Sequence, residues 1–174
     1  MLLTWANLLT LIRFACIAPC ALCIANRYWG WAAAFFTLAV VTDLLDGKLA
    51  RHCGVESPLG GLFDHATDAL FVSAALAALA WIALVPWLLS VLVLFAFLQY
   101  TLDSRALAGR HLRTSWLGRN NGIAYFVVVG IPTVREALGL GWPDNLLVSA
   151  LAWLLVGSTV VSMADRARAW IAAE

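Results

Sequence analysis

Apolar residues run along this chain in about six stretches, each near the roughly 20 residues that a membrane-spanning helix needs, with short charged or turn-forming clusters between them. The pattern predicts helices near 8–26, 29–51, 59–84, 86–104, 120–138 and 146–165. Asn26-Arg27-Tyr28-Trp29-Gly30 breaks the first stretch from the second, Pro86 opens the fourth after a short hairpin, and Gly139, Gly141 and Pro143 precede the sixth. Neither an internal repeat nor a low-complexity tract is visible. The expected fold class is all-α, a polytopic membrane bundle of six transmembrane helices, with residues 1–174 as a single domain.

Composition agrees with that pattern. The 174 residues are 63% hydrophobic and only 12% charged, with a mean hydropathy of +0.89, more apolar surface than a water-soluble domain of this size buries. A net charge of +1 leaves too few bases to track a nucleic-acid backbone, so no nucleic-acid partner is expected. Cys16, Cys20 and Cys23 lie together in the first stretch and Cys53 stands in a short loop; they read as small packing residues, not as a disulfide or metal framework. Arg13 interrupts the first stretch, and no small-residue cleavage site leads into a soluble domain. That stretch therefore reads as a retained helix rather than a removed leader.

Basic residues give an orientation. With a cytoplasmic N-terminus, Lys48, Arg51, Arg105, Arg110, Arg113, Arg119, Arg166 and Arg168 fall on the cytoplasmic side, and only Arg27 and Arg135 on the other. Arg13 lies inside the first helix, within about two turns of the same cytoplasmic face. Trp5, Trp29, Trp87 and Trp142 stand near helix ends, where interfacial belts take tryptophan.

Four acids do not fit a passive bundle. Asp43, Asp46, Asp64 and Asp68 interrupt the cytoplasmic ends of the second and third helices, and a carboxylate in a membrane helix costs on the order of 3 kcal/mol. Asp43, Gly47 and Ala50 follow i, i+4, i+7 with Asp46 beside Asp43, while Gly60, Asp64 and Asp68 follow i, i+4, i+8. The connection between these helices is short, so they are expected to be antiparallel neighbours whose four carboxylates converge. Converging oxygen ligands without His or Cys select Mg²⁺, Mn²⁺ or Ca²⁺ over zinc, and four carboxylates suffice for two ions, an arrangement suited to phosphoryl chemistry. Gly47, Ala50 and Gly60 would leave a groove where a ligand can approach the backbone, and Arg51 is placed to meet a phosphate.

Read as a pattern, Asp43-x2-Asp46-Gly47-x2-Ala50-Arg51-x8-Gly60-x3-Asp64-x3-Asp68 places eight fixed residues over 26 positions and resembles the full signature of the CDP-alcohol phosphotransferases. Asn7-Leu8-Leu9-Thr10-Leu11-Ile12-Arg13 looks like the opening motif of many bacterial members. The resemblance implies an integral membrane transferase, in a bacterial inner membrane with its site on the cytoplasmic side, which joins two alcohols through a phosphate taken from a CDP-activated donor. It implies two divalent cations, Mg²⁺ or Mn²⁺, with Asp43, Asp46 and Asp64 as ligands. Asp68 would also face the metals and serve as the general base that deprotonates the acceptor hydroxyl. It further implies CDP contacts from Gly47, Ala50, Arg51 and Gly60, joined by Thr10 and Arg13 from the first helix, and a homodimer.

The acceptor is less sharply marked. Arg105, Arg110, Arg113 and Arg119, with His111, crowd the loop before the fifth helix, where relatives with phosphorylated acceptors carry bases, and Leu117-Gly118-Arg119 resembles an element of phosphatidylglycerol phosphate-forming relatives. Those relatives read Asp-Pro-x-x-Asp-Lys at the third and fourth acids, whereas this chain reads Asp64-His65-Ala66-Thr67-Asp68-Ala69. Ser57-Pro58-Leu59-Gly60 with Leu62-Phe63-Asp64-His65 looks instead like the longer choline and ethanolamine phosphotransferases. Transfer from CDP-diacylglycerol to an alcohol is the expectation from chain length. Transfer from a CDP-linked polar alcohol to diacylglycerol is the alternative, and an ion or proton transporter the reading from another class. His65 has two readings, an assistant to the carboxylates or an interfacial side chain.

Overall fold

In the computed structural model, described over residues 5–53, 58–103 and 116–171, the apolar stretches fold into six helices. These are α1 (Trp5–Ala25), α2 (Trp29–Cys53), α3 (Pro58–Trp81), α4 (Trp87–Asp103), α5 (Trp116–Ala137) and α6 (Asn145–Ile171). No strand occurs among the described residues. The expected all-α membrane bundle is what the chain forms.

Three hairpin turns at one end of the bundle close in the same way. Arg27, Ala83 and Gly139 take left-handed φ values of 60°, 61° and 65° after α1, α3 and α5. The amide of the following residue then reaches back to a carbonyl of the last turn: Tyr28 to Cys23, Leu84 to Leu79, and Leu140 to Arg135. Arg135 adds a clasp across the third turn, donating to the Pro143 carbonyl at 2.5 Å and to Asn145 Oδ1 at 2.6 Å while pairing with Glu136. Asp144 caps α6 by accepting the Leu147 amide at 2.9 Å. The acids of α2 and α3 are thereby at the opposite end.

The helices pack as two four-membered rings that share the α3/α5 pair. One ring runs α1–α2–α5–α3 and the other α3–α4–α6–α5. Cys16 and Cys20 are buried in the first ring, and the Cys20 thiol donates to the Ala32 carbonyl at 3.8 Å. The packing role expected of these cysteines holds, and Cys16, Cys20 and Cys23 are free thiols. In the second ring Ser73 and Ser90 donate to each other's carbonyls, both at 2.9 Å, and tie α3 to α4.

Phe36 of α2, Phe71 of α3 and Phe126 of α5 meet in the middle of the bundle with ring centroids 6.2–6.4 Å apart. Gly130 on α5 lets this cluster close, because a Cβ there would stand 2.9 Å from the Phe36 ring. Phe36 is held between two other rings, so it has little room to retreat. Gly130→Ala is expected to cost about 1–3 kcal/mol through overpacking, read as a lower apparent melting temperature in detergent; an unchanged value would show that α5 can shift.

Residues 8–25, 60–81 and 145–169 are long and apolar enough to cross a bilayer, and Trp29–Leu45 and Trp87–Leu102 are shorter apolar helices. The outward faces carry exposed Phe14, Leu22, Trp31, Phe95 and Leu154, a surface that suits lipid and not water. Helix boundaries differ from expectation by up to six residues; α1 starts at Trp5 instead of 8 and α3 ends at Trp81 instead of 84, and the two largest shifts are in α5 and α6. α5 starts at Trp116 instead of 120, and α6 runs to Ile171 instead of 165. In both places charged or amide side chains end the hydropathy without ending the helix, whose backbone bonds are indifferent to them.

Candidate active site

α1 packs against both α2 and α3, which fixes what its one central base touches. Arg13 is fully buried, and Thr10, one turn earlier on the same face, is buried too. The Arg13 Nη1 lies 2.5 Å from Asp68 Oδ1, 2.7 Å from Asp64 Oδ1 and 3.3 Å from Asp43 Oδ1. A single nitrogen thus marks the point where three carboxylates from two helices converge, three of the four that the helical register led one to expect; the side chain of the fourth, Asp46, lies outside the described residues. Two carboxylates about 4 Å apart repel by roughly 4 kcal/mol at an effective dielectric of 20. One guanidinium balances the charge of only one of the three carboxylates around it, so the cluster calls for further positive charge.

The donor set fits a hard divalent ion. Ligand atoms of Asp64, His65 and Asp68 all lie within 4.8 Å of one another, and Asp43 joins the two aspartates through their common neighbour Arg13. Carboxylate oxygens in such a group suit Mg²⁺ or Mn²⁺. His65 is exposed, and its ring meets the Tyr100 ring edge-on with centroids 6.0 Å apart.

Other residues singled out in the sequence fall as follows. Asp46, Gly47, Ala50 and Arg51 are on the last turns of α2, beyond Asp43, and their side chains lie outside the described residues. Gly60 is in the first turn of α3, one turn before Asp64. Arg105, Arg110 and Arg113, together with His111, lie outside the described residues. Arg119 is exposed in the first turn of α5.

A cavity of about 440 Å³ occupies the second ring of helices, and Asp43, His65 and Asp68 form part of its wall. Deeper in, Val72, Val93 and Phe126 line it, and Arg119 and Arg166 supply positive charge. The Arg166 guanidinium lies over the Tyr100 ring, 4.7 Å from its centroid. Sequence reasoning missed Gln99, Tyr100, Asn121 and Arg166 as lining residues. The available signal was polar side chains at 99–100 and 120–121 inside otherwise apolar stretches, and a base at 166 that orientation alone accounted for.

The arrangement is a carboxylate cluster beside a chamber large enough for a small substrate, on an all-helical membrane scaffold. Comparison with known proteins names the class. The sequence profile of the CDP-alcohol phosphatidyltransferases matches residues 3–164, so the chain belongs to that family and is a membrane transferase of phospholipid synthesis. Among its relatives is a Mycobacterium tuberculosis protein named a probable phosphatidylglycerophosphate synthase, 30% identical over 93% of this chain and 80% of its own length. A Streptomyces coelicolor cardiolipin synthase (CMP-forming) is 32% identical over 74% of this chain and 60% of its own. An Arabidopsis thaliana CDP-diacylglycerol–glycerol-3-phosphate 3-phosphatidyltransferase is 33% identical over 69% of this chain and 42% of its own. No solved structure matches the chain.

Proposed function

We propose that this chain transfers the phosphatidyl group of CDP-diacylglycerol to a hydroxyl of a phosphate-bearing acceptor and releases CMP. The observation that carries the reading is the convergence of Asp43, Asp64 and Asp68 on one point at the wall of a cavity that also presents Arg119 and Arg166. The relatives' names supply the donor class, and the two arginines favour an anionic acceptor over choline or ethanolamine.

Asp43, Asp46, Asp64 and Asp68 would hold two divalent cations, Mg²⁺ or Mn²⁺. When bound, these supply charge neutralisation for the diphosphate and polarisation of the attacking oxygen. Gly47, Ala50 and Gly60 bound the nucleotide groove, with Arg51, Thr10 and Arg13 toward its phosphates. Asp68, which reaches both the cluster and the cavity, removes the acceptor's proton. The acceptor oxygen forms the new P–O bond at the β-phosphorus as the bond to CMP breaks. Arg105, Arg110, Arg113 and Arg119 attract the acceptor's phosphate. The excess of bases at the acid-bearing end supports a cytoplasmic site in a bacterial inner membrane, and the family resemblance supports a homodimer.

The test pairs CDP-diacylglycerol with glycerol 3-phosphate, phosphatidylglycerol, inositol phosphate or serine, and CDP-choline or CDP-ethanolamine with diacylglycerol, in purified protein. CMP is expected only from CDP-diacylglycerol, only with an acceptor, and only with Mg²⁺ or Mn²⁺, ceasing with EDTA. Metal-independent release, or release only from CDP-choline or CDP-ethanolamine, would overturn the reading.

A further inference from the structure

His65 stands among the converging acids and takes no part in the transfer proposed above. Every ligand expected from the sequence is a carboxylate; the structure sets an imidazole beside them. One ring nitrogen of His65 and one carboxylate oxygen each of Asp64 and Asp68 lie within 4.8 Å of one another. An ion that holds its ligands at about 2.1 Å spans about 4.2 Å between opposite ones. Bringing the three atoms onto one ion therefore takes an adjustment of well under an ångström.

Arg13 and His65 approach these carboxylates from different sides of α3. Arg13 comes from α1, in the first ring of helices, and its Nη1 meets Oδ1 of both Asp64 and Asp68. His65 belongs to the other side. The helical period places Asp68 between Asp64 and His65 on the surface of α3, and the His65 ring meets the ring of Tyr100 on α4 edge-on. Tyr100 is in turn covered by the Arg166 guanidinium of α6. His65 is exposed, and it lines the cavity with Asp43 and Asp68. The imidazole is thus open to an ion on the cavity side and braced by a ring that two other helices hold.

Ligand type decides which ion such a place takes. Carboxylates alone accept Mg²⁺, Ca²⁺ and Mn²⁺, whereas an imidazole favours first-row transition ions over Mg²⁺ and Ca²⁺. Resting on the reading that this cluster holds divalent cations, we infer that His65 ligates one of them together with Asp64 and Asp68. Its nitrogen makes that position selective for a first-row transition ion over Mg²⁺.

The test uses the full chain in detergent, stripped with EDTA, with Mn²⁺ as the probe and no substrate. Pulsed EPR at substoichiometric Mn²⁺ fills the tighter position first, and it is expected to show nitrogen coupling from a directly bound imidazole. His65→Gln, whose amide oxygen reaches about as far, is expected to bind Mn²⁺ without that coupling. Mn²⁺ affinity, read from melting shifts across a titration, is expected to fall about tenfold in His65→Gln, while Mg²⁺ affinity stays within about twofold. Bound Mn²⁺ without nitrogen coupling in the parent, or Mn²⁺ and Mg²⁺ affinities that fall by the same factor in the variant, would overturn the inference and leave the cation site standing. A variant that melts lower in EDTA yet keeps the parent's metal shifts would mark His65 as a packing partner of Tyr100 and overturn it too. No Mn²⁺ bound at all would sink the cation site along with the inference. The parent's spectrum decides the matter even where His65→Gln does not fold. Neither readout involves CMP release, so failure of the transfer reaction is seen separately.

Discussion

Asp68→Asn is expected to lower CMP release about 1,000-fold, within the range that a positioned general base contributes, with the KM for CDP-diacylglycerol little changed. The amide keeps the shape of the side chain, and Arg13 retains Asp64 at 2.7 Å and Asp43 at 3.3 Å, so the meeting of α1, α2 and α3 survives. The loss therefore belongs to kcat, the signature of an interaction made in the transition state. Asp64→Asn separates the two roles that carboxylates play here. A lost ligand weakens cation affinity, so its activity is expected to recover in part as Mn²⁺ is raised, whereas that of Asp68→Asn stays low at saturating Mn²⁺. Retention of more than a tenth of the rate in Asp68→Asn would remove Asp68 as the base and turn attention to His65, which lines the same cavity.

The acids were legible in the sequence because the helical period is a local property. Asp43 and Asp46, or Asp64 and Asp68, share a face whatever the rest of the bundle does, and a short link between their helices brings the two faces together. Helix number was legible for a similar reason, since five of the six helices contain a clearly apolar stretch of their own. Arg13 was only half legible. Its place in the first helix was plain, but the direction that α1 faces depends on packing against α2 and α3, which no local pattern states. Its contact with three carboxylates thus emerged only in three dimensions. The place of Gln99, Tyr100 and Asn121 on the cavity wall was hidden for another reason. A single amide or phenol in a membrane helix reads equally well as a bond to a neighbouring helix, and Gln99 and Asn121 do make such bonds. Only the three-dimensional structure, which sets these residues on the wall of one cavity, separates them from ordinary packing. Hydropathy also misplaced the start of α5, because Asn120 and Asn121 look like a boundary while their backbone continues the helix from Trp116.

Arg13→Met carries the other large expected effect, and it falls on stability before activity. A buried arginine serving three carboxylates is costly to remove, because the acids it leaves behind keep their mutual repulsion without the cation that offsets it. Deleting one partner of a buried pair costs about 3–5 kcal/mol. In EDTA the variant is expected to melt well below the parent in detergent, and Arg13→Lys, which keeps the charge but not the planar fork, to fall between them. Divalent cations then supply the missing charge by mass action. Mn²⁺ is expected to raise the melting temperature of Arg13→Met by more than it raises that of the parent, narrowing the gap without closing it, because the contact between α1 and α3 is still lost. A donor-only role for Arg13 predicts a different pattern: a higher KM for CDP-diacylglycerol, with melting in EDTA unchanged. Parental melting of Arg13→Met in EDTA would therefore show that the three carboxylates hold together without it, and that the buried guanidinium belongs to the nucleotide alone.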